Sequence, residues 1–244
     1  MIREGPIMSK RDNLYIIQKP EKYNWTNILV GICFAVACLA LGLALAINLR
    51  PLYTLSIGRY DIEAESGLSP VVIKENYNAL IDYCSPFFTD ELSFPSLRSS
   101  ESGLSHFAEC KNIFNGIYLA GVIALVITVI AFIIKRHCGE YKHFRACAII
   151  TAALPIVIGT FALINFDALF LIFHKLTFSN NDWLFDPETD PIINLLPEAY
   201  FMDCALVIVG VMLIGAAVSL VIYFVMKKKN KTVNLLPHKK NYYY

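Results

Sequence analysis

Two histidines and a crowd of carboxylates stand where membrane-length apolar runs give way to polar chain. His106 precedes the second such run, and Glu109 follows it at a spacing that puts both on one helix face. His174 ends the third run, and Asn180, Asp182, Trp183, Asp186, Glu188 and Asp190 follow within one short loop. Imidazole, with an ordinary pKa near 6.5, takes up and returns a proton near neutral pH, so the chemistry these residues suggest is general acid–base catalysis. Carboxylates beside a histidine hold its tautomer or complete a metal site. His106, Glu109 and His174 offer two nitrogens and one oxygen, but no H-E-x-x-H arrangement is present, and neither a metal nor a cofactor is indicated. Asp167 lies seven residues before His174, on the same helix face about 10 Å away. An acid inside an apolar run is costly and points to function, with a structural hydrogen bond to another helix as the competing explanation. The bland alternative for the histidines is two unrelated interfacial side chains. Trp183 is a candidate substrate contact, although Trp183 and Tyr200 equally suit the role of interface anchors. No G-x-S-x-G elbow or phosphate loop occurs, and no pattern singles out Ser100, Ser102, Ser105 or Ser179.

The elements that must position these groups are helices in a membrane. Of 244 residues, 56% are hydrophobic, and the mean hydropathy is +0.52. Four runs, 28–49, 113–134, 146–173 and 205–226, can each cross about 30 Å of hydrocarbon. Lipid offers backbone groups no hydrogen-bond partner, so helices are the expected form. Asn165 and Asp167 interrupt the third run, whose last part is expected to be kinked or unwound. The expected fold is an integral membrane, mainly α protein with four transmembrane helices and a small extracytoplasmic subdomain. Lys and Arg number five before the first run, four between the second and third, and six after the last, whereas the last loop holds only Lys175. The positive-inside rule then makes both termini cytoplasmic and turns segments 50–112 and 174–204 outward. The basic leader 1–27 and tail 227–244 read as topology determinants attracted to anionic lipid. Ala44-Leu45-Ala46 has the form of a cleavage site, but the first run exceeds the roughly 7–15 residues of a signal core and reads as an uncleaved anchor. A net charge of +1 gives no sign of nucleic-acid binding.

The first outer segment is long enough for a subdomain. Alternation of Tyr53, Leu55 and Ile57 predicts a short strand. Ser69-Pro70 reads as N-cap and first helical residue, with Ile73, Tyr77, Leu80 and Cys84 on one helix face until Ser85-Pro86. Ser99-Ser100-Glu101 opens a second helix whose Leu104, Phe107 and Phe114 lead without a break into the second run. His106 therefore stands about 10 Å outside the start of that run. His137, His143 and His238 are expected on the cytoplasmic side, which leaves His106 and His174 at one boundary. The seven cysteines include no C-x-x-C pair, and spacing neither requires nor excludes a Cys84–Cys110 disulfide.

Two long stretches carry a resemblance. FHKLTFSNNDWLFDPETDPIINLLPEAYF (173–201) and NYNALIDYCSPFFTDELSFPSLRSSESGLSHFAECKNIF (76–114) resemble a family of small four-span bacterial membrane proteins that includes the lipoprotein intramolecular transacylase of Gram-positive bacteria. With the four runs, the resemblance covers 28–226. The chain departs from the family pattern at Glu109-Cys110-Lys111, where Asp-Val-Lys is expected, and at Asn180-Asn181-Asp182-Trp183, where the acid is shifted by one place. The resemblance implies a membrane acyltransferase acting on diacylglyceryl lipoproteins among membrane lipids. It would move the sn-2 acyl chain to the α-amino group of the N-terminal Cys and leave a lyso-form lipoprotein. It implies two catalytic histidines, His106 and His174.

That reaction suits imidazole. An α-amine of pKa about 7.7–8.0 is mostly protonated at neutral pH, and a neighbouring base frees it. Amine and ester share one molecule, so effective molarity replaces an acyl-enzyme. His174 is then expected as the base nearest the amine and His106 as the orienting or protonating partner. Asp167, Asp182, Asp186, Asp190 and Glu109 are candidate supports for an imidazole, and Asn180 a candidate oxyanion donor. A non-catalytic four-span interaction protein and a membrane lipid hydrolase or protease are the competing functions.

Overall fold

The computed structural model describes residues 25–86 and 91–233. Among these there is no strand. The helices are α1 (Trp25–Asn48), α2 (Arg50–Arg59), α3 (Ile62–Ser66), α4 (Pro70–Tyr83), α5 (Glu101–His137), α6 (His143–Ile164), α7 (Phe166–Thr177) and α8 (Glu198–Val233), with a 3₁₀ turn at Pro191–Leu195. Residues 1–24 of the basic leader and 234–244 of the tail lie outside the described residues.

Among the described residues four helices, α1, α5, α6 and α8, are long and apolar enough to cross a membrane. Helix α1 touches the other three and α6 packs on α8, so α1 is the hub of the bundle. Small residues let these backbones close up, because lipid gives apolar helices no hydrophobic reason to associate and close packing must do so instead. Gly31 abuts Ala146 and Ile150, Gly42 abuts Ile208, Gly121 abuts Ala40, and Gly215 abuts Cys38. Leu119, Val122, Ile133, Ile156, Val157, Val221 and Phe224 point outward, as lipid-facing side chains do.

Helix α5 has 37 residues, about 55 Å at 1.5 Å per residue, far more than a crossing needs. Its first three turns project beyond the apolar stretch that begins at Ile113. Ser100 caps it, its hydroxyl accepting from the Gly103 N–H at 2.9 Å. Ser69 caps α4 in the same way through Val72.

One expectation is corrected and one is sharpened. Residues 53–57 are helical, not a strand: Pro51 opens α2, and Tyr53, Ser56 and Ile57 are buried at helical spacing while Leu55 is 73% exposed. Tyr53 and Ile57 fit either period, and burial decides. The third apolar run is two helices. Asn165, in extended conformation, ends α6 and caps α7, its side chain accepting from the Ala168 N–H at 2.9 Å. Helix α7 buries no residue, and Ile172, Phe173 and Leu176 stay exposed along it, the pattern of an amphipathic helix lying in a membrane surface.

The segment between α1 and α5 and the loop before α8 share one core. Tyr53 stacks on Tyr77 with ring centroids 3.5 Å apart, and its hydroxyl donates to the Leu195 carbonyl at 2.8 Å. The Tyr77 and Tyr200 hydroxyls pair at 2.6 Å, and Ile62, Ile73, Ile192 and Leu195 fill the remaining space.

Candidate active site

Where the projecting part of α5 meets α7, His106 and His174 face each other with ring centroids 6.0 Å apart. An aromatic box surrounds them. Phe178 and Phe185 lie 4.6 and 5.5 Å from the His106 ring, and Trp183 and Phe170 lie 5.1 and 4.1 Å from that of His174. His106 is 5% exposed. Burial and the neighbouring His174 lower its pKa to about 4, against a smaller opposing pull from Asp182. Burial also lowers the pKa of His174. Both imidazoles are therefore neutral bases near pH 7.

The hydrogen bonds fix one tautomer. Nδ1 of His174 lies 2.8 Å from the Phe170 carbonyl oxygen, which can only accept, so Nδ1 carries the proton and Nε2 presents the free lone pair. Nε2 of His106 lies 3.4 Å from Sγ of Cys110. Its Nδ1 faces Oε2 of Glu109 at 4.0 Å, and both of these buried atoms lack a closer partner.

Asn180 is a tie-post. Its Nδ2 donates to Oε1 of Glu109 at 2.8 Å, its Oδ1 accepts from the Asp182 N–H at 3.0 Å, and its carbonyl accepts from Nε1 of Trp183 at 3.0 Å. The loop is thus bound to α5 just below His106. Asp190 binds it a second time. Its carboxylate, 2% exposed, accepts from the Ser100 N–H at 2.8 Å and the Thr189 hydroxyl at 2.7 Å and abuts Gly103, where a Cβ would collide with it. Asp186 closes the intervening turn by accepting from the Glu188 N–H at 2.9 Å. Asp167 lies beside the Glu198 carboxyl of α8. The structure thus brings Glu109, Asn180, Asp182 and Trp183 to the histidines and puts Asp167, Asp186 and Asp190 elsewhere. Asp182 acts on His106 through its charge, without a hydrogen bond to it.

Beside His174 opens a cleft of about 410 Å³ lined by Leu171, Lys175, Phe178, Ser179, Asn180, Asn181, Trp183 and Leu184. Its mixed apolar and amide lining suits an amphiphile. Phe178, Phe185 and the Cys110 contact escape a reading of the sequence. The one-turn spacing of Cys110 from His106 and its departure from the family pattern are the signals for the last. Cys84 and Cys110 are both free thiols, not a disulfide. Among the described residues no three His, Cys, Asp or Glu side chains converge as a metal site.

Comparison with known proteins adds three findings. The family profile "Lipoprotein intramolecular transacylase Lit" matches residues 28–201. No curated protein sequence matches significantly. The fold is similar to that of the membrane-integral lipoprotein intramolecular transacylase Lit from Bacillus cereus, with a TM-score of 0.83 and 34% identity over 85% of this chain and 97% of that one. Two variants of that protein, with a histidine replaced by arginine or alanine, match with TM-scores of 0.78 and 33% identity. They cover 86% and 85% of this chain and 93% and 94% of theirs.

Proposed function

Because this chain belongs to the lipoprotein intramolecular transacylase family, we propose that it performs that acyl transfer with His106 and His174 as its catalytic pair. It is a multi-pass membrane-integral transacylase. Its substrate is a diacylglyceryl lipoprotein, whose sn-2 acyl chain passes to the α-amino group of the N-terminal Cys. Nε2 of His174 takes a proton from the amine as its nitrogen attacks the ester carbonyl carbon. The tetrahedral intermediate collapses by breaking the bond to the glyceryl oxygen, which takes the proton back from the His174 imidazolium and leaves as the hydroxyl of the lyso-form product. The carrying observation is the pair of facing neutral imidazoles, one pinned by the Phe170 carbonyl so that a basic nitrogen points free. Asn180, already holding Glu109, acts here as a positioning group. The cleft beside His174 receives the glyceryl and acyl portion, against Trp183.

The distribution of Lys and Arg supports cytoplasmic termini and a site at the outer leaflet, where α7 rests among lipid headgroups. In this arrangement 1–27 and 227–244 are the cytoplasmic leader and tail, and the outer segments 50–112 and 174–204 carry the site. The test is mass spectrometry of lipoprotein N-termini from cells lacking N-acylating enzymes, with and without this protein. Wild type is expected to give the N-acyl, S-monoacylglyceryl form at unchanged mass with a shifted fragment pattern. His106→Ala and His174→Ala are expected to abolish the shift. Near-normal conversion by both variants rejects the histidine mechanism. No conversion by correctly inserted wild type rejects the activity for the substrates tested and leaves a binding role.

A further inference from the structure

Cys110 takes no part in the reaction described above, yet its sulfur lies 3.4 Å from Nε2 of His106, one helical turn away. Glu109, between them in sequence, turns Oε2 toward the other nitrogen, Nδ1, at 4.0 Å. Asn180 fixes the second oxygen of that carboxylate at 2.8 Å. A neutral imidazole has one proton and two places to put it. With the proton on Nε2, its donor faces only a thiol sulfur, a weak acceptor, while the Nδ1 lone pair faces a carboxylate oxygen. Two buried acceptors would then oppose each other with nothing between them. With the proton on Nδ1, the thiol S–H donates into the Nε2 lone pair, and the ring N–H is directed at Oε2 of Glu109. The second arrangement matches a donor to an acceptor on both sides of the ring.

We propose that Cys110 is a positioning residue of the site: its S–H donates to Nε2 of His106 and holds that imidazole as the Nδ1–H tautomer aimed at Glu109. The proposal rests on the transacylase reading only for its kinetic consequence. The tautomer follows from the geometry alone. Burial and the neighbouring Cys84 and Glu109 push the thiol up to about 12, so it stays protonated and is a donor, not a nucleophile. Both histidines then carry their proton on Nδ1, but only His174 keeps a free Nε2. This divides the labour: His174 is the base that receives the amine proton, and His106, its basic nitrogen engaged by the thiol, is the oriented partner.

The experiment uses full-length protein in lipid nanodiscs with ¹⁵N-labelled histidine. NMR distinguishes a protonated from an unprotonated ring nitrogen, and His106→Gln assigns the signal. In wild type, His106 is expected with Nδ1 protonated and Nε2 bare. Cys110→Val keeps the side-chain size but has no donor. It is expected to give a mixture with Nε2–H present and to lower kcat about fivefold with KM unchanged, the effect of one modest hydrogen bond. Cys110→Ser restores a donor and is expected to recover the wild-type tautomer and most of kcat. A Cys110→Val protein that retains the pure Nδ1–H signal overturns the proposal. So does a serine variant whose tautomer stays mixed. If wild type shows the expected tautomer and its loss in Cys110→Val but no acyl transfer, the transacylase reading fails and the positioning role stands.

Discussion

Replacing Asp190 tests how the two outer segments are held together. Its carboxylate accepts the Ser100 N–H at the head of the helix that carries His106, and nothing else among the described residues takes that donor. A hydrogen bond to a charged partner contributes about 1.5–3 kcal/mol, and Asp190→Ala also leaves a part-buried N–H unsatisfied. A loss near 2.8 kcal/mol raises the population with this junction open about a hundredfold, since 1.4 kcal/mol is one factor of ten. Hydrogen exchange by mass spectrometry in nanodiscs reads this directly. The peptide spanning 97–104 is expected to exchange about a hundredfold faster in Asp190→Ala, while the apolar parts of α1 and α6 keep their protection. Acyl transfer falls as well, because His106 lies six residues along the helix from Ser100. Asp190→Asn keeps the acceptor and gives up its charge, so a loss of about 1 kcal/mol is expected. The pH dependence has a definite sign. Burial opposes ionisation of Asp190, but the Ser100 and Thr189 hydrogen bonds outweigh it and hold the carboxyl below its ordinary value of 3.8. The junction is therefore intact above that value and weakens as pH falls through the lowered one. Unchanged exchange at 97–104 in Asp190→Ala, or a faster exchange spread evenly along the chain, refutes a local clamp.

Asn180→Ala frees Glu109 and the Asp182 N–H together, and kcat for acyl transfer is expected to drop at least tenfold while thermal unfolding shifts by only a few degrees; an unchanged kcat removes its positioning role. Tyr77→Phe breaks the hydroxyl pair with Tyr200 inside a core, for a destabilisation of about 1 kcal/mol in thermal denaturation and little change in kcat. Gly121→Leu forces a side chain into Ala40 on α1 and is expected to destabilise the bundle by about 1–3 kcal/mol, measured as lost yield of folded protein in detergent. His106 is held near 4 in the folded state against 6.5 when exposed, so the unfolded chain takes up its proton first; stability is expected to fall on acidification across that window, and less steeply in His106→Gln.

The fold was legible where local chemistry decides it. Ser69 and Ser100 cap the helices their hydroxyls predict, and Asn165 breaks the third run because it caps a new helix instead of continuing the old one. Residues 53–57 misled because Tyr53 and Ile57 satisfy both periods, and only the core supplied by Tyr77 and Leu195 chooses the helix. The two histidines were legible as candidates from residue type and boundary position. The contacts around them were not. Asp190 reaches Ser100 across 90 residues and Asn180 reaches Glu109 across 71, and no local pattern encodes a partner at that distance. Cys110 was visible as a departure from the family pattern, but its role depends on which ring nitrogen turns toward it.

The long separation between Ser100 and Asp190 also bears on how the protein is made. Synthesis proceeds from the N-terminus, so α5 enters the membrane well before the loop that clamps its head has been translated. Until α6 and α7 have followed and that loop is threaded into place, the Ser100 amide and the wall around His106 are without their partners. A nascent or truncated chain, though already inserted, therefore holds an imidazole but no assembled site, and acyl transfer becomes available only with the completion of the last loop.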